Sequence, residues 1–257
     1  GSDCNLQTIN PLIKPNATSW RGAQVGTFFD VIQKMNATGN QYGFATMNET
    51  HMMKNMEWGA VVYFSHSKYG INTQIEYNST ENYITGCGPQ AIGSTTEGLT
   101  CNSYTTSLGQ RASTTGNVYG VYDMNSYTYE YMMGNMVYSN GMFMTGSTYG
   151  DNDYSGFTGY LSNGVLYNGS YLVPSEKYYD KYSYLSQDTM FSNNVSGKLG
   201  DATKELTLDN EAWYNLDSYL PAEYNCWIMR GSTFALSSYT GASISSGASR
   251  AVLSITN

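Results

Sequence analysis

Long apolar runs are missing from this 257-residue chain, and charge is scarce. No apolar stretch reaches the roughly twenty residues that span a bilayer, so direct membrane insertion is not expected. Asp, Glu, Lys and Arg together make up 12% of the residues. Basic residues are the scarcer kind, 12 against 20 acidic, for a formal net charge of −8. A nucleic-acid partner needs clustered Lys and Arg to release counterions, so this balance argues against one. An anionic membrane surface is disfavoured for the same reason. Histidine occurs only as His51 and His66. Read on one helix they stand about four turns apart, too far to share a metal ion. Neither accompanies a recognisable Ser nucleophile motif. No Gly-rich phosphate-binding spacing occurs. A carboxylate pair for glycoside hydrolysis is set by the fold, and no motif here points to one.

Four cysteines are present, Cys4, Cys87, Cys101 and Cys226, and none stands in a C-x-x-C pair. Cys87 and Cys101 flank a loop rich in Gly, Thr and Ser and could close it. Cys4 and Cys226 could then tie the N-terminal to the C-terminal region. Three pairings are possible, and four buried thiols are an equal alternative. Six N-x-S/T triplets begin at Asn16, Asn36, Asn48, Asn78, Asn168 and Asn194. A chain this rich in Asn, Ser and Thr produces about that number by chance, so they carry no weight.

Aromatic residues, at 14%, are abundant, and Gly, Ser, Thr, Asn and Tyr fill much of the rest. High aromatic content with low charge is the reverse of a disordered composition. It predicts an ordered globule with an uncharged polar surface, which suits an extracellular or surface-displayed protein. Gly1-Ser2 reads as a cloning scar, leaving 3–257 as one domain with no linker or repeat.

Helical spacing of Val25, Phe28, Phe29, Ile32 and Met35 predicts a helix over 19–36, capped by Ser19 and ended by Gly39. A second helix is expected from Thr50 to just before Gly70, with Met52, Met56, Ala60 and Tyr63 as its core stripe. Beyond Gly70, short runs alternate with turns. Tyr83-Ile84, Val118 to Tyr122, Tyr160 to Leu166 and Ala251 to Ile255 are strand candidates. Two helices followed by short strands and long loops indicate an α+β fold, and long loops on a stable sheet usually carry function.

The stretch Gly116-Asn-Val-Tyr-Gly-Val-Tyr-Asp-Met-Asn-Ser-Tyr-Thr-Tyr-Glu-Tyr131 resembles the signature of the formylglycine-generating-enzyme branch of the C-type lectin fold. Other blocks match a bacterial or phage non-catalytic subgroup in the expected order. They are Thr50-His-Met-Met-Lys-Asn-Met-Glu-Trp-Gly-Ala60, Ser65-His-Ser-Lys-Tyr-Gly70, Gly197-Lys-Leu-Gly-Asp-Ala202, Trp227-Ile-Met-Arg-Gly231 and Arg250-Ala-Val-Leu253. The resemblance implies that Tyr122-Asp123-Met124 lies on a central strand. It also implies that Trp213, Trp227, Arg230 and Arg250 form a structural frame. Glu130 matches a calcium position of some relatives, with Asp123 and Asn125 as the nearby side chains able to help. A structural hydrogen-bond acceptor is the plainer role for Glu130, because Ser126-Tyr127-Thr128 replaces the family's Gly-rich turn. No other cofactor is implied.

Catalytic members of that branch use a pair of C-terminal cysteines, and this chain has only Cys226 after Cys101. The resemblance therefore points away from an enzyme. What remains is the uncharged segment 232–249, rich in Tyr, Ser, Thr and Gly within a wider stretch 213–249. That is the composition of antibody paratopes, where Tyr supplies rigid contact area and Ser and Gly adapt. It is similar to the variable proteins of diversity-generating retroelements, in which C-terminal codons of a C-type lectin fold are mutated through adenine positions. Expected ligand-binding residues are Tyr214, Asn215, Tyr219, Tyr224, Ile228, Ser232, Thr233, Phe234, Ser237, Ser238, Tyr239, Ser243, Ser245 and Ser246. Their partner would be a protein or glycan on another surface. The resemblance thus implies an adhesin or receptor-binding domain on a bacterial surface structure or phage. The alternatives are an enzyme of unrecognised type and a pilin-like structural subunit.

Overall fold

The computed structural model describes residues 9–94, 96, 98–137, 165–167, 171–183, 200–203, 227–231, 237–239 and 248–254. For 136, 165–167, 171–173 and 237–239 it describes the backbone alone. Among the described residues the helices are α1 (Val25–Gln33), α2 (Asn55–His66) and the short α3 (Ser107–Gln110). The strands are β1 (Glu49–Met52), β2 (Cys87–Gly88), β3 (Asn102–Ser103), β4 (Glu130–Val137), β5 (Val165–Tyr167), β6 (Tyr171–Val173), β7 (Asp180–Ser183), β8 (Trp227–Arg230), β9 (Ser237–Tyr239), β10 (Ala248–Ser249) and β11 (Ala251–Ser254). A 3-10 turn at Glu176–Tyr178 precedes β7. The fold is mixed α+β, with few helices and short strands.

β4 organises the described sheet. β8 pairs with one of its edges, antiparallel, and β9 pairs with the far side of β8. The other edge is shared: β10 pairs with Glu130 and Tyr131, and β7 with the run from Gly134 to Val137, both parallel. A strand enclosed this way is buried on both faces and reads as a continuous apolar run. Tyr131, Met132 and Met133 of β4 are fully buried, as are Trp227, Ile228 and Met229 of β8. The inner faces of α1 and α2 complete this core through Phe28, Phe29, Ile32, Trp58 and Val62.

α1 is shorter than its apolar spacing predicts. Gln24 precedes its first turn, and the Ser19 N–H instead donates to Tyr83 O at 2.9 Å. The chain before residue 25 is thus committed to the 83–85 segment rather than to a helix. At the other end the Lys34 and Met35 N–H groups bond back three residues, tightening the last turn before Gly39.

The second helix differs more. Residues 49–52 form β1, which pairs antiparallel with β11 from Glu49↔Ser254 to Met52↔Ala251. α2 begins only at Asn55, where the Glu57 carboxylate accepts the Lys54 N–H at 2.8 Å. The later start rotates the stripe read from sequence. Met56, Ala60 and Tyr63 face outward, and α2 buries Asn55, Trp58, Gly59, Val62 and Ser65 instead.

Val118 to Tyr122 is not a strand, and Tyr122-Asp123-Met124 does not lie on the central one. Thr114 and Val121 close a loop there, with the Thr114 N–H donating to Val121 O at 3.0 Å and the Val121 N–H to Thr114 Oγ1 at 3.0 Å. Asp123 then takes a left-handed backbone, φ 63°, which ends any extended run. Ile84 makes a single bridge to Thr18. Of the 160–166 candidate, β5 begins at Val165, and 160–164 lie outside the described residues. β11 occupies 251–254 as the spacing predicts, with Ile255 outside the described residues. Cys87 and Cys101 form a disulfide beside the β2–β3 pair. Cys4 and Cys226 lie outside the described residues.

Candidate functional site

The segment expected to bind a ligand is interleaved with β8, β9 and β10. β8 runs towards the Glu130 end of β4 and ends on Arg230, opposite Glu130. β9 returns along β8, from Ser237 opposite Met229 to Tyr239 opposite Trp227. The chain is next described at Ala248, opposite Glu130 on the other edge of β4. The connections 232–236 and 240–247 are thus bracketed by strands of the central sheet.

Two arginine networks lock those strands. Arg230 is fully buried. Its Nε and Nη2 donate to Asn55 Oδ1 at 2.9 and 2.7 Å. Nη1 donates to Ala202 O and Nη2 to Asp201 O, each at 3.2 Å. Its guanidinium carbon sits 4.2 Å from the Trp58 ring centroid, a desolvated cation–π contact. Asn55 Nδ2 in turn donates to Tyr182 Oη at 2.7 Å, and the Tyr182 hydroxyl donates to Asp201 Oδ2 at 2.6 Å. Thr203 supplies its N–H and hydroxyl to Asp201 Oδ1. Burial, and then the Asp201 carboxylate beside it, pushes the Tyr182 hydroxyl well above the ordinary tyrosine range, so it stays a donor. The network joins α2, β7, the 201–203 segment and β8.

Two glycines make that closeness possible. A Cβ on Gly59 would stand 2.5 to 2.7 Å from backbone atoms of Asp201, so only glycine lets this segment lie on α2. Gly231 has φ +90°, and a Cβ there would stand 2.4 Å from Thr128 O.

Arg250 makes the second network. Its Nε donates to Glu130 Oε2 at 2.6 Å and its Nη1 to Tyr122 O at 3.0 Å. Glu130 is buried, and its carboxyl is pushed up to about 7. Desolvation is the largest cause, opposed by Arg250 and reinforced by the charge of Asp123. Asp123 accepts from Asn78 Nδ2 at 2.7 Å and from the Gly86 N–H at 3.0 and 3.1 Å. Burial raises its carboxyl too, against Arg250 and those hydrogen bonds.

These contacts do not fit a calcium cage. The Glu130 carboxylate is bonded to a guanidinium, which would repel the ion. Both Asp123 oxygens already accept hydrogen bonds, and Asn125 donates its amide to Ile75 O at 3.3 Å. Among the described residues no group of three or more His, Cys, Asp or Glu side chains could hold a metal.

Of the expected ligand-binding residues, Ile228 is misplaced. It is fully buried in β8, opposite Met132 and Ser238, and belongs to the core. Ser237, Ser238 and Tyr239 form β9, the outermost described strand on that side of the sheet. Tyr214, Asn215, Tyr219, Tyr224, Ser232, Thr233, Phe234, Ser243, Ser245 and Ser246 lie outside the described residues. So does Trp213 of the expected frame, whereas Trp227 is fully buried and Arg250 half-buried. His51 sits on β1 rather than on a helix, with Nε2 2.9 Å from Glu57 Oε1. Desolvation works against the charged form of Glu57, but His51 and the Lys54 N–H outweigh it and hold the carboxyl low. His66 ends α2, and burial lowers its basicity. Sequence reasoning missed Asn55, Asp201 and Ala202 as partners of Arg230, and Tyr182 as the residue that joins Asn55 to Asp201. The signal was a helical Gly59 with no turn to explain it.

No protein-family model matches the chain, and no curated protein matches it either.

Proposed function

We propose that this chain is a non-catalytic ligand-binding domain of the C-type lectin type, related to the formylglycine-generating-enzyme branch. It serves as an adhesin or receptor-binding domain on a bacterial surface structure or phage, and is the variable protein of a diversity-generating retroelement. Its ligand, a protein or glycan on another surface, meets the Tyr/Ser-rich stretch within 213–249, with Ile228 removed from the contact set.

One observation carries this reading. The uncharged segment is bracketed by two arginines held by hydrogen bonds: the buried Arg230 to Asn55 on one side, the half-buried Arg250 to Glu130 on the other. A rigid frame of that kind is the sort of scaffold on which sequence change in the connecting stretches is tolerated. The Cys87–Cys101 disulfide is compatible with an oxidising, extracellular setting. No helix among the described residues is long and apolar enough to cross a membrane.

Sequencing this gene from independent isolates tests the diversification. Differences should concentrate at adenine-containing codons within 213–249 and spare Trp227, Ile228, Arg230 and Arg250, beside a reverse transcriptase gene and a near-copy of that segment. Differences spread evenly along the gene would refute it. Binding is tested by probing glycan arrays and intact bacterial cells with the purified chain. Alanine at Ser232, Phe234 and Tyr239 together should abolish any capture without lowering Tm; unchanged capture by that variant would sink the assignment.

A further inference from the structure

A cavity of about 600 Å³ opens beside the N-terminal end of β4, between the 11–20 segment and the Tyr122–Asp123 turn. That volume is in the range of small-molecule sites, which combine apolar walls with a few converging polar groups. Ile32, Met35 and Ile84 contribute apolar wall. Ile13 and Val121 also line it and face water, at 66% and 43% exposure. Exposed aliphatic groups around a concave opening are available to a ligand rather than to the core.

The polar groups of the cavity converge on Arg250. Its Nε donates to Glu130 and its Nη1 to Tyr122 O, and both of those residues line the cavity with it. Its Nη2 is buried and has no acceptor among the described residues. A buried donor left without an acceptor is costly, and a charged donor makes a strong hydrogen bond once one arrives. The surrounding charges limit what that acceptor is. A cation would face the guanidinium and find both Asp123 oxygens already accepting hydrogen bonds. An anion would face the carboxylates of Asp123 and Glu130, two against the one enclosed guanidinium. Lys14 also lines the opening, but it is exposed, so water and salt screen it. An uncharged acceptor meets neither repulsion. We propose that this cavity binds an uncharged, largely apolar molecule through a carbonyl oxygen, which accepts from Arg250 Nη2 while the apolar body lies against Ile13, Ile84 and Val121. Nη2 is shielded from water, so the oxygen reaches it as a covering side chain turns aside. Ala248 and Ser249 end the Tyr/Ser stretch and also line this cavity, so the two sites adjoin. Small-molecule titration and capture of cells or glycans are separate measurements, and either can fail alone.

Three probes of one shape, 3-phenylpropionamide, 3-phenylpropionate and 3-phenylpropylamine, decide it by titration calorimetry at pH 8. The amide should bind at least about tenfold more tightly than the acid or the amine, a difference of about 1.4 kcal/mol. Nitrogen–proton NMR of the arginine side chains reads the contact itself. The Arg250 guanidinium signals, assigned through that residue's own side-chain carbons, should shift as the amide saturates. Val121→Trp, which fills the opening from an exposed position, should weaken the amide at least about tenfold at unchanged Tm. Equal or tighter binding of either charged probe, no amide binding at 10 mM, Arg250 signals that stay in place at saturation, or full amide affinity in Val121→Trp would each overturn the proposal.

Discussion

Arg230 and Glu130 stand opposite each other across the β4–β8 pair, and both are buried, yet their chemistry differs. The fork of Arg230 is compensated on every side, three nitrogens reaching three oxygens and the guanidinium lying over a ring face. Lysine at that position keeps the charge but loses the planar fork. Arg230→Lys should therefore cost roughly 3 kcal/mol, since Asn55 and Ala202 lose buried partners. Urea unfolding measures this, and a loss below about 1 kcal/mol would mean the network is dispensable. Glu130 has one enclosed cation for two carboxylates, and its folded-state carboxyl lies near 7, above the ordinary 4.5. Between those values the folded chain holds a proton that the unfolded chain has released, so stability falls as pH rises from about 4.5 to 7. Asp123 acts in the same direction, whereas Glu49 and Glu57, both held low, act below about 4.5. The Glu130 share amounts to roughly 3 kcal/mol across that window. Glu130→Gln should remove that part of the slope between pH 5 and pH 8. An identical slope in parent and variant would place the titration elsewhere.

At the scale of elements, α2 is held by what lies against it rather than by its own propensity. Gly59 weakens the helix by about 1 kcal/mol relative to alanine, but it admits the Asp201 backbone to the helix surface. Gly59→Ala should therefore destabilise by about 1–3 kcal/mol through overpacking, against its local propensity gain. A rise in Tm would show that the 201–203 segment yields easily. The Cys87–Cys101 disulfide spans a sequence separation of 14, and a loop of about fifteen residues constrains the unfolded chain by about 3 kcal/mol. Replacing both cysteines with serine should lower stability by about that amount while leaving the Arg230 network intact. These elements also mark how far local pattern reaches. The apolar spacing of Val25, Phe28, Phe29 and Ile32 located α1, because a helix buries residues three and four apart. The same rule failed at Thr50 to Met52, whose strand partner lies some two hundred residues away in β11. The strand expected from the short run Val118 to Tyr122 failed for another reason, because side-chain and backbone bonds to Thr114 hold a loop there.

Across the whole molecule, sparse charge leaves stability to apolar burial and a small number of buried hydrogen bonds. Recognition would then fall to neutral side chains near the sheet ends. The frame was legible where a buried arginine stands in a recognisable block, as in Trp227-Ile-Met-Arg-Gly231. The division between frame and contact was less so. Ile228 reads as one of a mixed series, but β8 is enclosed between β4 and β9 and buries every side chain it carries. The cavity of about 600 Å³ beside the N-terminal end of β4 left no local signal at all, because its walls are drawn from separate stretches of the chain, among them Pro11 to Trp20, Ile32, Met35, Asn78, Ile84 to Gly86, Tyr104 and Ala248 to Ala251. If frame and contact are separate, stability and binding should separate with them. Ile228→Ala should cost about 2–5 kcal/mol as a core truncation. Alanine at Ser232 or Phe234 should stay within about 0.5 kcal/mol of the parent. Chemical denaturation of the three single variants makes the comparison directly. A loss at Phe234 as large as that at Ile228 would make the Tyr/Ser segment part of the core, and diversification there would be incompatible with folding.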